Sequence, residues 1–517
     1  MVLKLFLIFL PLCCAAECFR ILGIFPTPAA SHFTLGFRLM KELVDRGHEV
    51  TMVSPYPQIT PIENYTDVPV ESISNVLAGF KKDFYKRESM WITTSTKFIH
   101  NMAYTLTEHL LSHENFQALL KSGKKYDLIL MEYFLSDATI GVGKIFDAPV
   151  VLFSSLPSSA FTNHLFANPA PSSYVPFILS SYTGKMDFYE RFYNLAHNMF
   201  DTFYKQFYML PLHDKLLQTH ISKNLDIYDV TRNVSLILLN SHPSVNEAIP
   251  HNPNMIEIGG FHISPTNKLS RELKAFMDSS TEGVILFSMG SNLQSSDLDQ
   301  QKRRNLINCF KKIKEKVLWK FEDDDFEGLP DNVKLVKWLP QQDILAHRNT
   351  KAFISHGGML STTEAVYFGV PIIGIPIYGD QKGNIAKAVQ YGYAVSLNVD
   401  DLSEAKLSWA LDEILNNTRY TNTAKLHSRL MRDREVQPID TAIFWLEYVI
   451  RHSEAQHMKS SGVDLQWYKR NMLDIIILLV IIDIVLFLIF YYIFKHIVHY
   501  TIKKIRSRTT NKYVKIK

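Results

Sequence analysis

Residues 338–381 read WLPQQDILAHRNTKAFISHGGMLSTTEAVYFGVPIIGIPIYGDQ. An apolar run, KAFIS (351–355), stops at His356-Gly357-Gly358, and a helix opens at about Ser361. Glycines at such a strand-to-helix turn let backbone N–H groups approach a diphosphate, and the helix N-terminus favours its charge. Glu364, one turn in, can accept hydrogen bonds from ribose hydroxyls, and Trp338, ending a neighbouring strand, offers a flat face for a base. PIIGIP (371–376) is the next strand; Asp380 and Gln381 beyond it bring acceptors and donors suited to sugar hydroxyls.

Outward from this stretch the pattern repeats. VILFSMG (284–290), VLWKF (317–321), VKLVKWL (333–339) and YAVSL (393–397) read as further strands with helices between them. Before a polar junction, SPTNKLS (264–270), a first series contains FRILGIF (19–25), a periodic helix over 33–46, EVTMVS, YDLILME (126–132), a helix from about Asp137, and PVVLFSS. Alternating β and α segments imply parallel sheets with right-handed crossovers. Two Rossmann-like halves facing one another place a ligand in the cleft at the carboxyl ends of their strands. The halves are expected at 17–265 and 266–435, with a C-terminal helical and juxtamembrane segment at 436–472. Residues 174–208 carry twelve Phe or Tyr, many on one helical face, and the expectation is that this face looks into the core.

The remainder of the chain bounds class and compartment. Its 517 residues suit two large domains. A hydrophobic content of 47%, 21% charged residues and a mean hydropathy of −0.03 exclude disorder, collagen and a polytopic membrane protein. The net charge is +4, but residues 495–517 hold eight Lys or Arg and no acid, so the body is mildly acidic and carries no nucleic-acid footprint. The opening MVLKLFLIFLPLCCAAEC reads as a secretory signal over residues 1–16. Only Cys18 and Cys309 survive its removal, so there is no disulfide framework. Asn64, Asn233 and Asn416 begin glycosylation sequons. Residues 473–494 form an apolar stretch about 33 Å long as a helix, enough to cross a bilayer core. Asp483 near its middle costs roughly 2.5–3.5 kcal/mol, which the surrounding Leu, Ile, Val and Phe residues offset. The basic tail at 495–517 then predicts a single-pass type I protein with its body in the lumen.

Competing signals are weak. Asp323-Asp324-Asp325 contains a DxD, yet it sits between two strands and reads as a solvated acidic loop, not a metal site. His109 and His113 are four apart on a helix without further ligands at zinc spacing. No GxSxG elbow, Walker loop or GxGxxG after the first strand is present, which counts against hydrolase, NTPase and dinucleotide oxidoreductase classes.

From Phe353 to Gln381 the sequence resembles the signature of the UDP-glycosyltransferase family, including His356, Gly358, Ser361, Glu364, Pro371, Pro376, Asp380 and Gln381. KWLPQQDILAH and RDREVQPIDTAIFWLEYVIRH (432–452) resemble its membrane-bound animal branch, insect members especially. The resemblance implies a GT-B fold, with an N-terminal acceptor domain and a C-terminal UDP-sugar domain, and inverting transfer without a resident cofactor or metal. It implies that Trp338 stacks on uracil while Gln341 holds its edge, and that Ser291, Ser361 and the Gly358 backbone hold phosphate oxygens. His356 would reach the diphosphate, Glu364 the ribose, and Asp380 with Gln381 the transferred sugar. Leu360 stands where many relatives carry Asn, which puts one phosphate contact in question.

His32, after the first strand, occupies the place of the family's catalytic base. An acceptor hydroxyl has a pKa far above 7, so a neutral imidazole must take its proton and then needs a carboxylate partner. Strand-end alignment favours Glu132 for this and residue identity favours Asp137; Asp137 is the preferred assignment. The resulting expectation is an endoplasmic-reticulum enzyme glycosylating small lipophilic acceptors, with glucose as the favoured sugar. Its alternatives are a non-catalytic membrane-anchored binder of hydrophobic ligands or UDP-sugars, and a glycosyltransferase of ceramide or sterol. Oligomeric state, including a homo-oligomer, is left open.

Overall fold

The computed structural model describes residues 18–81, 91–264, 268–323 and 328–514. The signal segment 1–16, the 265/266 junction, and Asp324 and Asp325 of the DxD lie outside these residues. The chain divides into two compact units, Met1–Lys459 and Ser460–Lys517.

The first unit holds two parallel sheets. One comprises β1 (Arg20–Ile24), β2 (Glu49–Ser54), β3 (Tyr65–Pro69), β4 (Leu128–Glu132), β5 (Val150–Ser154), β6 (Val234–Leu239) and β7 (Met255–Glu257), in the order β3-β2-β1-β4-β5-β6-β7. The other comprises β8 (Val284–Ser288), β9 (Lys316–Lys320), β10 (Val333–Val336), β11 (Thr350–Ser355), β12 (Ile372–Gly374) and β13 (Ala394–Ser396), in the order β10-β9-β8-β11-β12-β13. Every residue of β4, β5, β6 and β8 is buried. Both faces are covered, so these strands read as near-continuous apolar runs, rich in Leu, Ile and Val, and not as alternation.

Strand order reverses between β1 and β4 in the first sheet and between β8 and β11 in the second. Crevices at such reversals, beyond the carboxyl ends of the strands, are where α/β sheets hold ligands. Register sharpens this: Ile24 pairs with Met131, so Glu132 at the end of β4 lies beside the chain leaving β1. Ser288 likewise pairs with Ser355, which brings Ser291 and His356 to neighbouring strand ends.

Three differences from the sequence reading stand out. The first helix runs Ala30–Asp45, three residues earlier than its periodicity suggests, because Ala30 and Ser31 extend it behind an extended Ala29. His32 therefore sits in a helical first turn and not in the preceding loop. β10 ends at Val336, so Trp338 stands two residues past its strand.

The third difference is a reversal. The ring-rich helix Phe188–Tyr204 buries only Asn194 and Asp201, while Phe188 is 67% exposed, Tyr189 70% and Phe192 58%. Its buried side is polar and satisfied. Asn194 accepts from the Phe177 N–H and donates to the Ser172 and Val175 carbonyls, and Asp201 pairs with His100 Nε2 at 2.9 Å. Periodicity locates an apolar stripe; it does not say which way the stripe points.

The helix Pro438–Arg451 packs on the first sheet although it follows the second in sequence. Ala442, Ile443, Leu446 and Val449 join the cluster built from Leu35, Leu39 and Leu43 of the first helix. Arg46 pairs with Asp440, and His48 Nε2 lies 3.2 Å from Glu447 Oε1.

In the second unit, the helix Leu473–Val514 includes Leu473–Arg508, whose mean hydropathy reaches 3.2. It is long and apolar enough to cross a membrane, and it continues helically through the described basic tail. Among the sequons, Asn64 and Asn416 are exposed, whereas Asn233 is half-buried and its Ser235 is fully buried in β6. Cys18 is exposed and Cys309 buried, and both are free thiols.

Candidate functional site

The two sheet reversals open on one cleft of about 610 Å³. Its wall contains His32 from the first half, and Ser291, Trp338, Gln341, His356, Gly358, Ser361, Glu364, Asp380 and Gln381 from the second. Neither Asp137 nor Glu132 is part of that wall.

His32 Nδ1 contacts Glu132 Oε1, which leaves Nε2 as its other ring nitrogen. The preference for Asp137 is corrected here. Glu132 closes β4 next to the chain leaving β1, whereas Asp137, five residues on, has turned away on a 3₁₀ turn, Asp137–Gly141. Asp137 instead accepts from Lys205 Nζ at 3.2 Å and from the Tyr133 hydroxyl at 3.0 Å, all three groups being buried. Burial raises the Asp137 carboxyl, but Lys205 and the nearby histidines outweigh it and hold the group well below the usual carboxylate range.

Burial also pulls the His32 imidazole down; the Glu132 carboxylate more than offsets this, and Asp380 across the cleft adds to it, so the His32 pKa is raised above 6.5. A base must be neutral to act; with His32 as the proposed base, kcat/KM is expected to fall as pH drops through this raised value, giving an acid limb above pH 6.5. Glu132→Gln removes the largest raising influence and leaves burial in charge. The expected result is an acid limb moved to lower pH together with a lower plateau rate, read from a pH series of kcat/KM. An unmoved limb would detach Glu132 from His32.

In the second half, Gly358 precedes the helix Met359–Phe368, and no side chain caps its first turn. Without a side-chain cap among the described residues, those first-turn N–H groups are left for an anion, as such a site requires. A Cβ at Gly358 would come within 2.5 Å of the His356 ring, and one at Gly290 (φ +88°) equally close, so both glycines are fixed by that imidazole. Burial and Lys320 push His356 down to about 4. It is a neutral hydrogen-bonding group at physiological pH, not a cation, and its Nδ1 is buried without a partner among the described residues.

The cation near this turn is Lys320, which sequence reasoning missed. Its Nζ donates to the Gly290 carbonyl at 2.8 Å, pairs with Glu322 at 2.9 Å, and lies 6.0 Å from the exposed Trp338 ring. The signal was available: Lys320 ends β9, where strand-end logic looks for ligand contacts.

Glu364 is held by two amides. Gln341 Nε2 donates to Oε2 at 2.6 Å and to Ser361 Oγ at 3.1 Å, while Gln342 Nε2 donates to Oε1 at 2.9 Å. Gln342 is the second residue the sequence did not single out. Burial raises the Asp380 carboxyl, whose Oδ2 accepts from Asn384 at 2.6 Å. Gln381 Oε1 accepts from the Ile377 and Tyr378 N–H groups, so its amide nitrogen is the end left to donate. Leu360 lines the cleft and packs toward the apolar cluster of the first sheet. His109 bonds Ser72 Oγ on an ordinary helix face.

A family model described as UDP-glucoronosyl and UDP-glucosyl transferase matches residues 22–509. The chain is 36% identical to UDP-glycosyltransferase UGT5 of Dactylopius coccus, covering 90% of this chain and 89% of that protein. It is 34% identical to UDP-glucosyltransferase 2 of the same insect (95% and 96% covered) and 29% identical to UDP-glucuronosyltransferase 2B10 of Homo sapiens (85% and 86%). Among solved structures, CalG4, the calicheamicin glycosyltransferase, superposes with a TM-score of 0.57 at 16% identity, covering 84% of this chain and 100% of that one. That likeness establishes the GT-B fold and, at such identity, nothing about substrate.

Proposed function

This chain belongs to the UDP-glucuronosyl and UDP-glucosyl transferase family and is a UDP-sugar hexosyltransferase, and on that premise we propose an inverting transfer of glucose to a hydroxyl of small lipophilic acceptors. The observation that carries this reading is that His32, backed by a buried Glu132, lines the same cleft as Asp380, Gln381 and the helix start at Gly358.

In the proposed step, His32 Nε2 takes the acceptor proton while its Nδ1–H donates to Glu132. The acceptor oxygen bonds to the anomeric carbon from the face opposite the diphosphate. The bond from that carbon to the β-phosphate oxygen breaks, and UDP leaves with the electron pair. The first-turn N–H groups after Gly358, with Ser291, Ser361, His356 and Lys320, are proposed to receive the growing charge. Trp338 and Gln341 would hold the base, Glu364 the ribose, and Asp380 with Gln381 the sugar.

Two features support the narrower terms. Arg38, Lys41 and Lys320 are the Lys and Arg side chains among the described cleft residues, and each already has a carboxylate partner in Glu42, Asp45 or Glu322. A neutral sugar suits that better than a uronate, whose carboxylate needs a cation of its own. Leu77, Ile99, Met102, Leu106, Phe134 and Phe161 line the first half of the cleft, which favours lipophilic acceptors. The apolar helix of the second unit fits a membrane anchor, and we propose that it holds the body in the lumen of the endoplasmic reticulum. The exposed rings of Phe188–Tyr204 are available to gather greasy acceptors or to meet the bilayer.

The test offers membranes bearing the protein each UDP-sugar with phenol, flavonoid, steroid and ceramide acceptors, and reads products by mass. The expected product is a phenolic or flavonoid glucoside from UDP-glucose, with little from UDP-glucuronate. UDP binding without product on any acceptor would instead make the protein a binder.

A further inference from the structure

His262 is buried, and both its ring nitrogens lack hydrogen-bond partners among the described residues. Its side chain is 0% exposed, yet the residue belongs to the cleft wall. It follows β7 in the run Ile258-Gly259-Gly260-Phe261-His262, where Gly260 adopts φ +87° and a Cβ at Gly259 would strike the Ser241 carbonyl. The turn has a fixed shape, and so does the position of the ring it delivers. An orphaned buried donor costs about 1–3 kcal/mol, so a group kept this way needs a use.

One charged group lies close: Glu364 Oε1, 3.5 Å from His262 Nε2. That separation is too long for a good hydrogen bond. Glu364 is meanwhile satisfied from its other side by the Gln341 and Gln342 amides. A diol approaching Glu364 must take lone-pair positions those amides now use. Once they swing away, a carboxylate this buried needs a donor behind it, and a shift of a few tenths of an ångström puts His262 Nε2–H in bonding range.

We propose that His262 is a positioning residue for the donor. It grips Glu364 from behind when ribose hydroxyls displace the two glutamine amides, and so makes the site select nucleotides that carry those hydroxyls. This rests on the reading that Glu364 receives the ribose. Because its nitrogens are out of contact with the open cleft, His262 acts through Glu364 and not on the ligand.

The experiment uses the full chain in detergent, titrated with UDP and with 2′,3′-dideoxy-UDP. For His262→Ala, UDP binding weakens about tenfold, the worth of one hydrogen bond to a charged group, while dideoxy-UDP binding is unchanged. Donor KM rises by the same factor, with kcat and acceptor KM retained. His262→Gln, which carries an N–H near the place of Nε2, restores most of the UDP affinity. If Ala opens a cavity that unfolds the protein, His262→Leu keeps the bulk and carries the same expectation. Equal weakening for both nucleotides would reduce His262 to packing and overturn the proposal, as would no weakening for either. A wild-type protein that binds no UDP at all would remove the donor-site reading itself, and the role of His262 with it. A wild-type protein that binds UDP and dideoxy-UDP alike would overturn only the ribose selection.

Discussion

His32→Ala lowers turnover by about 10²–10⁴-fold, the usual worth of a positioned general base, and leaves UDP affinity unchanged. The split follows from where the residues sit. His32 comes from the helix after β1 and Glu132 from the end of β4 in the first sheet, while the residues expected to hold UDP come from the segments that follow β8, β10 and β11 in the second. Removing the imidazole strips the acceptor hydroxyl of the group proposed to take its proton and leaves the helix start at Gly358 intact. Calorimetry with UDP and a product assay on the same sample read both halves. Retained turnover in His32→Ala would remove His32 from the mechanism; loss of UDP binding would mean that the variant damages the cleft as a whole.

Asp137→Ala has the opposite signature: a loss of about 3–5 kcal/mol of stability, as when one partner of a buried ion pair is deleted, with kcat per folded molecule preserved. Lys205 is the reason. Burial lowers its ammonium pKa and Asp137 holds it up, and among the described residues its Nζ hydrogen-bonds Asp137 Oδ1 and the Tyr133 hydroxyl, at 3.2 and 2.9 Å. Without Asp137, the ammonium must stay buried without its counter-charge or give up its proton. Lys205→Met in the same background gives back part of the lost stability, because it removes the charge left behind. Denaturant midpoints and a heat-inactivation series test this. A stable Asp137→Ala protein with abolished transfer would restore Asp137 as the partner of the base and demote Glu132.

These two residues also show where sequence reading reaches its limit. Both carboxylates follow one strand, five positions apart, and chemistry alone does not choose between them. Choosing requires the register of β4 on β1, a pairing between residues about a hundred apart in the chain. The donor-side residues were easier. Trp338 to Gln381 is one short stretch in which strand, glycine turn and helix are local events, so its chemistry could be read in order. Lys320 and His262 escaped because the Gly290 carbonyl and Glu364 that they meet come from other segments, and Gln342, inside the stretch, because its contact with Glu364 joins two separate helices.

By itself the sequence determined the alternation of strands and helices, the doubling of that pattern, the apolar stretch near the C-terminus, and the cluster of side chains proposed to bind the donor. Each of these is carried by nearest neighbours, hydrophobic period or unbroken length. Tertiary structure decided that Glu132 meets His32, that Pro438–Arg451 returns to the first sheet, and that the rings of Phe188–Tyr204 face outward over a buried Asn194 and Asp201. Those outcomes depend on which surfaces remain uncovered once distant segments have packed, and a linear pattern carries the spacing of a face without its direction.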